Sequence, residues 1–125
     1  MKPESASHLA RAGELLTVAA ENLDNNHPAD SASRSYYAMF HAATAVLLEE
    51  GIERSSHKGV ISAFGEIIVK GGRLEKRFHE YLREAFDSRI LSDYFPTPSV
   101  SDIYASEMLA NAEDFVRACR GILGE

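Results

Sequence analysis

The hexapeptide RILSDY, residues 89–94, brings a guanidinium, a carboxylate and a phenol together and ends two residues before Pro96. Phe78, Leu82, Ala85 and Arg89 follow one another at spacings of 4, 3 and 4, and Asp93 lies four further on. Arg89 therefore prolongs the apolar stripe of a helix instead of its solvent face. Its charge must reach water or an acceptor, since leaving a buried charge unpaired costs on the order of 3–5 kcal/mol. Asp93 is the structural acceptor, although Arg before Asp is the less favourable order against the helix dipole. The chemical acceptor is a phosphate. Tyr94 can turn its hydroxyl toward the same point if the helix ends or bends before Pro96, and its phenol is also a candidate for modification.

Two further stretches hold polar groups that fit such chemistry. In SRSYYAMFH, residues 33–41, Arg34, Tyr37 and His41 recur at spacings of 3 and 4, while Tyr36, Phe40, Ala43 and Leu47 form the adjoining apolar face. The three polar residues, with Asp93, read as the lining of a cleft, or Arg34 and His41 as a solvent-reaching arginine and a packed histidine. In SSHKG, residues 55–59, serines suited to cap a helix precede His57 and Lys58. A helix start offers free N–H groups to an anion and Lys58 adds a point charge, so His57, Lys58 and Arg89 are candidates for binding phosphate or a nucleotide. The plainer alternative makes the serines simple N-caps and lets His57 pack in phase with Val60, Ile61 and Phe64.

The elements that must position these residues are helices. A first helix is expected over about Ser5–Asp24, ending at the turn signal DNNHP, and a second from Asp30 or Ser31 to about Glu50, stopped by Gly51. A third starts at Ser55 or Ser56, carries Val60, Ile61, Phe64, Ile67 and Ile68, and stops at Gly71–Gly72. A fourth runs from Arg73 to about Asp93, and a fifth from Ser99 to about Leu123. No run alternates polar and apolar residues long enough for a strand. Short connections favour antiparallel neighbours, so the expected fold is an all-α, up-and-down bundle of four or five helices. From Ser35 to Leu48 the second helix has no charged residue. A helix apolar on nearly every side is a buried one, which in so small a bundle suggests a second chain on its outer face and hence a homodimer.

With 125 residues the chain makes one domain, 1–125, and its apolar runs fall short of the roughly 18 residues of a membrane span. The N-terminus lacks the basic and apolar regions of a signal peptide, so a soluble cytoplasmic protein without a membrane association is expected. Net charge is -6, which argues against broad adhesion to nucleic acid. Residues 70–89 nevertheless hold six of the 13 Lys and Arg against four acids, either a local basic surface or a solvated face with pairs such as Lys76–Glu80. Cys119, the one cysteine, rules out an internal disulfide and lies on the stripe Ala112, Phe115, Val116, Cys119, Ile122, Leu123 as a small core residue. The five histidines have no i,i+4 spacing, so neither a metal nor another cofactor is expected.

SRSYYAMFHAATAVLLEEG, HKGVISAFG and SRILSDY together resemble the HEPN domain superfamily, and within it a stand-alone branch often encoded beside a minimal nucleotidyltransferase. The likeness spans about residues 5–120. It implies an antiparallel helical bundle, a homodimer with a cleft at its interface, and a nucleotidyltransferase partner acting as antitoxin. Many HEPN proteins are metal-independent ribonucleases with an Arg-x4-6-His motif, where histidine is a candidate base and arginine stabilises phosphorane charge. Arg89 matches that arginine, but positions 94–96 are Tyr94, Phe95 and Pro96, so the motif histidine is missing. Tyrosine, with a reference pKa of about 10, is a poor base near neutrality. Arg34 and His41 meet the spacing on a different helix, and His57 or His79 could stand in only if the fold carries one to Arg89. Tyr94 resembles, by neighbourhood, the tyrosine that receives adenylyl groups in some HEPN toxins. Two functions follow: a ribonuclease toxin using Arg89, with Tyr94 as a second catalytic candidate, or a non-catalytic module that binds a nucleotide, RNA or its partner at the same cleft.

Overall fold

The computed structural model describes residues 1–93 and 100–125, and only the backbone of 90–93. Its described part is all-α, as expected, with helices α1 (Pro3–Asp24), α2 (Pro28–Glu49), α3 (His57–Ala63), α4 (Lys76–Asp93) and α5 (Asp102–Ile122); α3 continues into a π-helical turn, Phe64–Val69. No strand occurs among the described residues. Tyr94 and the expected start of the fifth helix at Ser99 lie outside them.

Helix starts differ from the sequence reading where proline is involved. Pro3 and Pro28 stand in the first turn of α1 and α2. Their fixed φ suits the first helical position, and their missing N–H is one the helix leaves unpaired in any case. Each helix therefore begins two residues or so before the expected serine or aspartate. Serine caps act where they were expected at α3, whose Ser56 hydroxyl accepts from the Gly59 N–H at 2.9 Å. At α5, Ser101 accepts from the Tyr104 N–H at 3.0 Å. Gly51 and Gly72 end their helices with φ of 76° and 81°. In each case the next N–H reaches back five residues, Ile52 to the Leu47 carbonyl at 2.9 Å and Arg73 to the Ile68 carbonyl at 3.0 Å. The chain then turns through residues 73–75, so α4 begins at Lys76 and not at Arg73.

The π-turn was not legible from periodicity. One extra residue in the turn rotates the face, so Phe64 and Ile68 are buried while Ile67 is 36% exposed. The turn faces α4 across a groove. The ring of His79 on α4 packs over Gly65, where an added Cβ would lie 2.6 Å from Nε2, and bonds the Ile61 backbone.

Packing places α2 at the centre. α1 runs antiparallel to it, and the pair is clasped where Lys2 Nζ donates to the Leu48 carbonyl at 2.8 Å and the Ser5 hydroxyl to Glu49 at 2.8 Å. α5 lies against both, its Arg120 donating to the Leu9 carbonyl at 3.0 Å. α3 and α4 cover the remaining side of α2. Tyr36, Ala38, Met39, Ala42, Ala43, Ala45, Val46, Leu47 and Leu48 are all buried within the single chain. Most of the charge-free run of α2 is thus core of the single chain, while Tyr37, Phe40, His41 and Thr44 on one side of it stay half-buried. Phe64, Phe78 and Phe115 join the core, with ring centroids of Phe64 and Phe115 5.1 Å apart. Cys119 is wholly enclosed there, and burial pushes its thiol pKa up.

Candidate functional site

Three helices meet around His57. The ring stacks on Phe40 of α2 with centroids 4.4 Å apart and planes 21° off parallel. Phe86 of α4 covers it at 6.0 Å, and Tyr37 meets it edge-on at 6.0 Å. Consecutive residues on a helix point about 100° apart, so Tyr36 and Tyr37 serve this ring from different sides. Tyr36, fully buried, brings its hydroxyl to 2.6 Å from His57 Nδ1. Burial raises the pKa of the Tyr36 phenol, and neighbouring Tyr37 adds to the effect while Arg89 opposes it. The His57 pKa is lowered by burial and then by the positive charge of Arg89.

Arg89 thus belongs to the same site. Its guanidinium carbon lies 4.9 Å from the centre of the Tyr37 ring, a cation–π contact, and the residue is half-buried. At this stripe position the guanidinium meets an aromatic wall from α2, and its charge is within electrostatic reach of an imidazole. Of the expected site residues, Tyr37, His57 and Arg89 come together here. Lys58 is exposed and lines a separate groove of about 330 Å³ between α3 and α4, with His79, Arg83 and Phe86. The backbone of Asp93 ends α4; its side chain, like Tyr94, lies outside the described residues.

Arg34 and His41 do not join this cluster. Arg34 is exposed on the first part of α2. His41 turns to α1, its Nδ1 2.9 Å from that of His8, so one ring donates and the other accepts. Burial lowers the His41 pKa, helped by His8 and by Arg11. His79 is likewise elsewhere: burial and Arg83 lower its pKa, against the bond to the Ile61 backbone and the charge of Glu80. The imidazole that the fold brings to Arg89 is therefore His57. Of the basic residues clustered at 70–89, Lys70 pairs with Glu66, Arg73 with Glu50, Lys76 with Glu80 and Arg77 with Glu75 and Asp114. The solvated-face reading describes those four.

Sequence reasoning treated Tyr36 as part of the apolar face and gave Phe86 and His8 no role. A buried phenol needs a hydrogen-bond partner, which is the signal that could have linked Tyr36 to a histidine. Among the described residues no group of three or more His, Cys, Asp or Glu is placed to hold a metal ion. No described helix is long and apolar enough to cross a membrane.

The HEPN domain model matches residues 5–122, and the chain belongs to the HEPN family. It is 42% identical over 94 residues to a UPF0332 protein of Gloeobacter violaceus, covering 75% of each chain. A UPF0332 protein of Thermotoga maritima is 30% identical over 113 residues, 90% of this chain and 86% of its own. A protein of Methanocaldococcus jannaschii named as a candidate toxin is 33% identical over 116 residues, 92% of this chain and 79% of its own.

Proposed function

We propose that this chain is the toxin-type member of a two-component pair and acts on RNA, engaging a phosphodiester through Arg89. The observation that carries this reading is the placement of the Arg89 guanidinium against Tyr37 and within electrostatic reach of His57. Guanidinium matches phosphate geometry and stabilises the charge that builds up on phosphorus during transesterification. The names of relatives in Methanocaldococcus jannaschii support the toxin class. The protein works as a homodimer with the Arg89 sites facing a shared cleft, and a minimal nucleotidyltransferase is its partner. Tyr94, where the motif histidine is missing, is either a second catalytic group or the acceptor of adenylyl groups from that partner.

The test is cleavage of a labelled RNA pool by the purified protein in EDTA, with Arg89→Ala in parallel. Cleavage that disappears in the variant is the expected result. Cleavage by Arg89→Ala equal to wild type overturns the assignment. A second reading, binding of RNA or a nucleotide without cleavage, is favoured by the absence of a histidine at positions 94–96. It is recognised by Arg89-dependent RNA retention in a filter assay with the RNA left intact. For the partner, adenylyl transfer to the wild type and not to Tyr94→Phe is expected.

A further inference from the structure

The Tyr36 phenol is wholly enclosed, and its one hydrogen-bond partner among the described residues is Nδ1 of His57, at 2.6 Å. The direction of that bond follows. Were Nδ1 to donate, the phenol proton would be left buried with no acceptor, the costly arrangement for a polar group. The phenol therefore donates, Nδ1 accepts, and the neutral ring carries its proton on Nε2. The ring cannot readily turn to exchange its nitrogens, because Phe40 and Phe86 hold its faces at 4.4 Å and 6.0 Å. The charged and titratable groups facing it are Tyr36 and Tyr37 from α2 and Arg89 from α4. Both His57 and Arg89 border the Tyr37 ring, at 6.0 Å between centroids and 4.9 Å from the guanidinium carbon.

We propose that Tyr36 is a positioning residue that locks His57 as an Nε2–H donor, so that His57 and Arg89 together donate hydrogen bonds to phosphate oxygens of single-stranded RNA. This rests on the reading that the Arg89 site takes a phosphodiester. His57 is then part of the anion seat and is not the base that removes a ribose proton. A catalytic base, where cleavage occurs, has to come from another residue.

Long-range proton–nitrogen correlation NMR of the ¹⁵N-labelled full chain, with the His57 signals assigned by their loss in His57→Gln, reads the tautomer directly. The expected result is Nε2 protonated and Nδ1 bare at pH 7.5. Tyr36→Phe is expected to shift the balance toward the Nδ1–H tautomer, a change that loosened packing alone does not direct. A 2′-O-methyl RNA pool, which cannot be cleaved by transesterification, measures the donor role. Affinity is expected to fall about fivefold in Tyr36→Phe and in His57→Phe, roughly one hydrogen bond's worth. His57→Gln, whose amide can donate, is expected to stay within about twofold of wild type. Should Tyr36→Phe not fold, the His57→Gln and His57→Phe pair still decides. A wild-type Nδ1–H tautomer, or equal losses in Gln and Phe variants, overturns this inference alone. Failure of the wild type to bind the pool, with the Nε2–H tautomer present, overturns the phosphate reading itself and the donor role with it.

Discussion

Arg89 could be picked out in the sequence because it continues an apolar stripe, and a charge in that phase demands a partner. What it meets was not legible, since Tyr37 and His57 lie on other helices and only tertiary packing sets their distances. The Tyr36–His57 bond spans 21 residues of sequence. At this site lysine is no substitute for arginine, because it lacks the planar fork and stacks poorly. Arg89→Lys is expected to weaken RNA retention about tenfold at unchanged melting temperature, which filter binding and thermal denaturation check together; a large drop in melting temperature instead marks Arg89 as structural. The histidines make a second prediction. Burial, followed by neighbouring charge, holds His41, His57 and His79 below the ordinary imidazole value of about 6.5. Between their folded values and 6.5 the unfolded chain binds more protons, so stability from these rings is complete above about 6.5 and lost as pH falls through that window. Urea midpoints should decline on acidification from pH 7.5, and His41→Gln should flatten the decline.

At the scale of elements, helix stops were the clearest signals. Gly51 and Gly72 adopt φ of 76° and 81°, a region glycine enters without steric penalty. Starts were read less well: serine and aspartate attracted attention as caps, while Pro3 and Pro28 open their helices by conformational restriction alone. The π-turn had no local signature, because Gly65 and His79 explain each other only once α3 and α4 are packed. That pairing is testable. A methyl group at residue 65 meets the His79 ring at 2.6–2.9 Å. Gly65→Ala is therefore expected to destabilise the chain by about 1–3 kcal/mol, the usual range for overpacking, despite alanine's higher helix propensity. Equilibrium urea unfolding measures it. A stabilised variant would show that the ring moves aside freely and does not hold the turn in place.

For the molecule as a whole, the all-α bundle followed from periodicity, since five amphipathic segments with short connections have few other ways to bury their stripes. The apolar character of α2 was also legible, but how its sides divide was not: most of it is core within one chain, and Tyr37, Phe40, His41 and Thr44 are left half-buried. The proposed dimer is tested by sedimentation equilibrium, where twice the 13.8 kDa chain mass is expected. The enclosed Cys119 gives the molecule a clock. With no surface on the thiol and ionisation suppressed by burial, an aromatic disulfide reagent can react only during moments when the core parts around α5. Labelling should be orders of magnitude slower than that of a free thiol, yet measurable over hours, independent of reagent concentration once opening limits the rate, and accelerated by Gly65→Ala. Each chain thus carries a single-site recorder of how often it breathes, readable by mass spectrometry in the presence of RNA or a partner without an engineered cysteine.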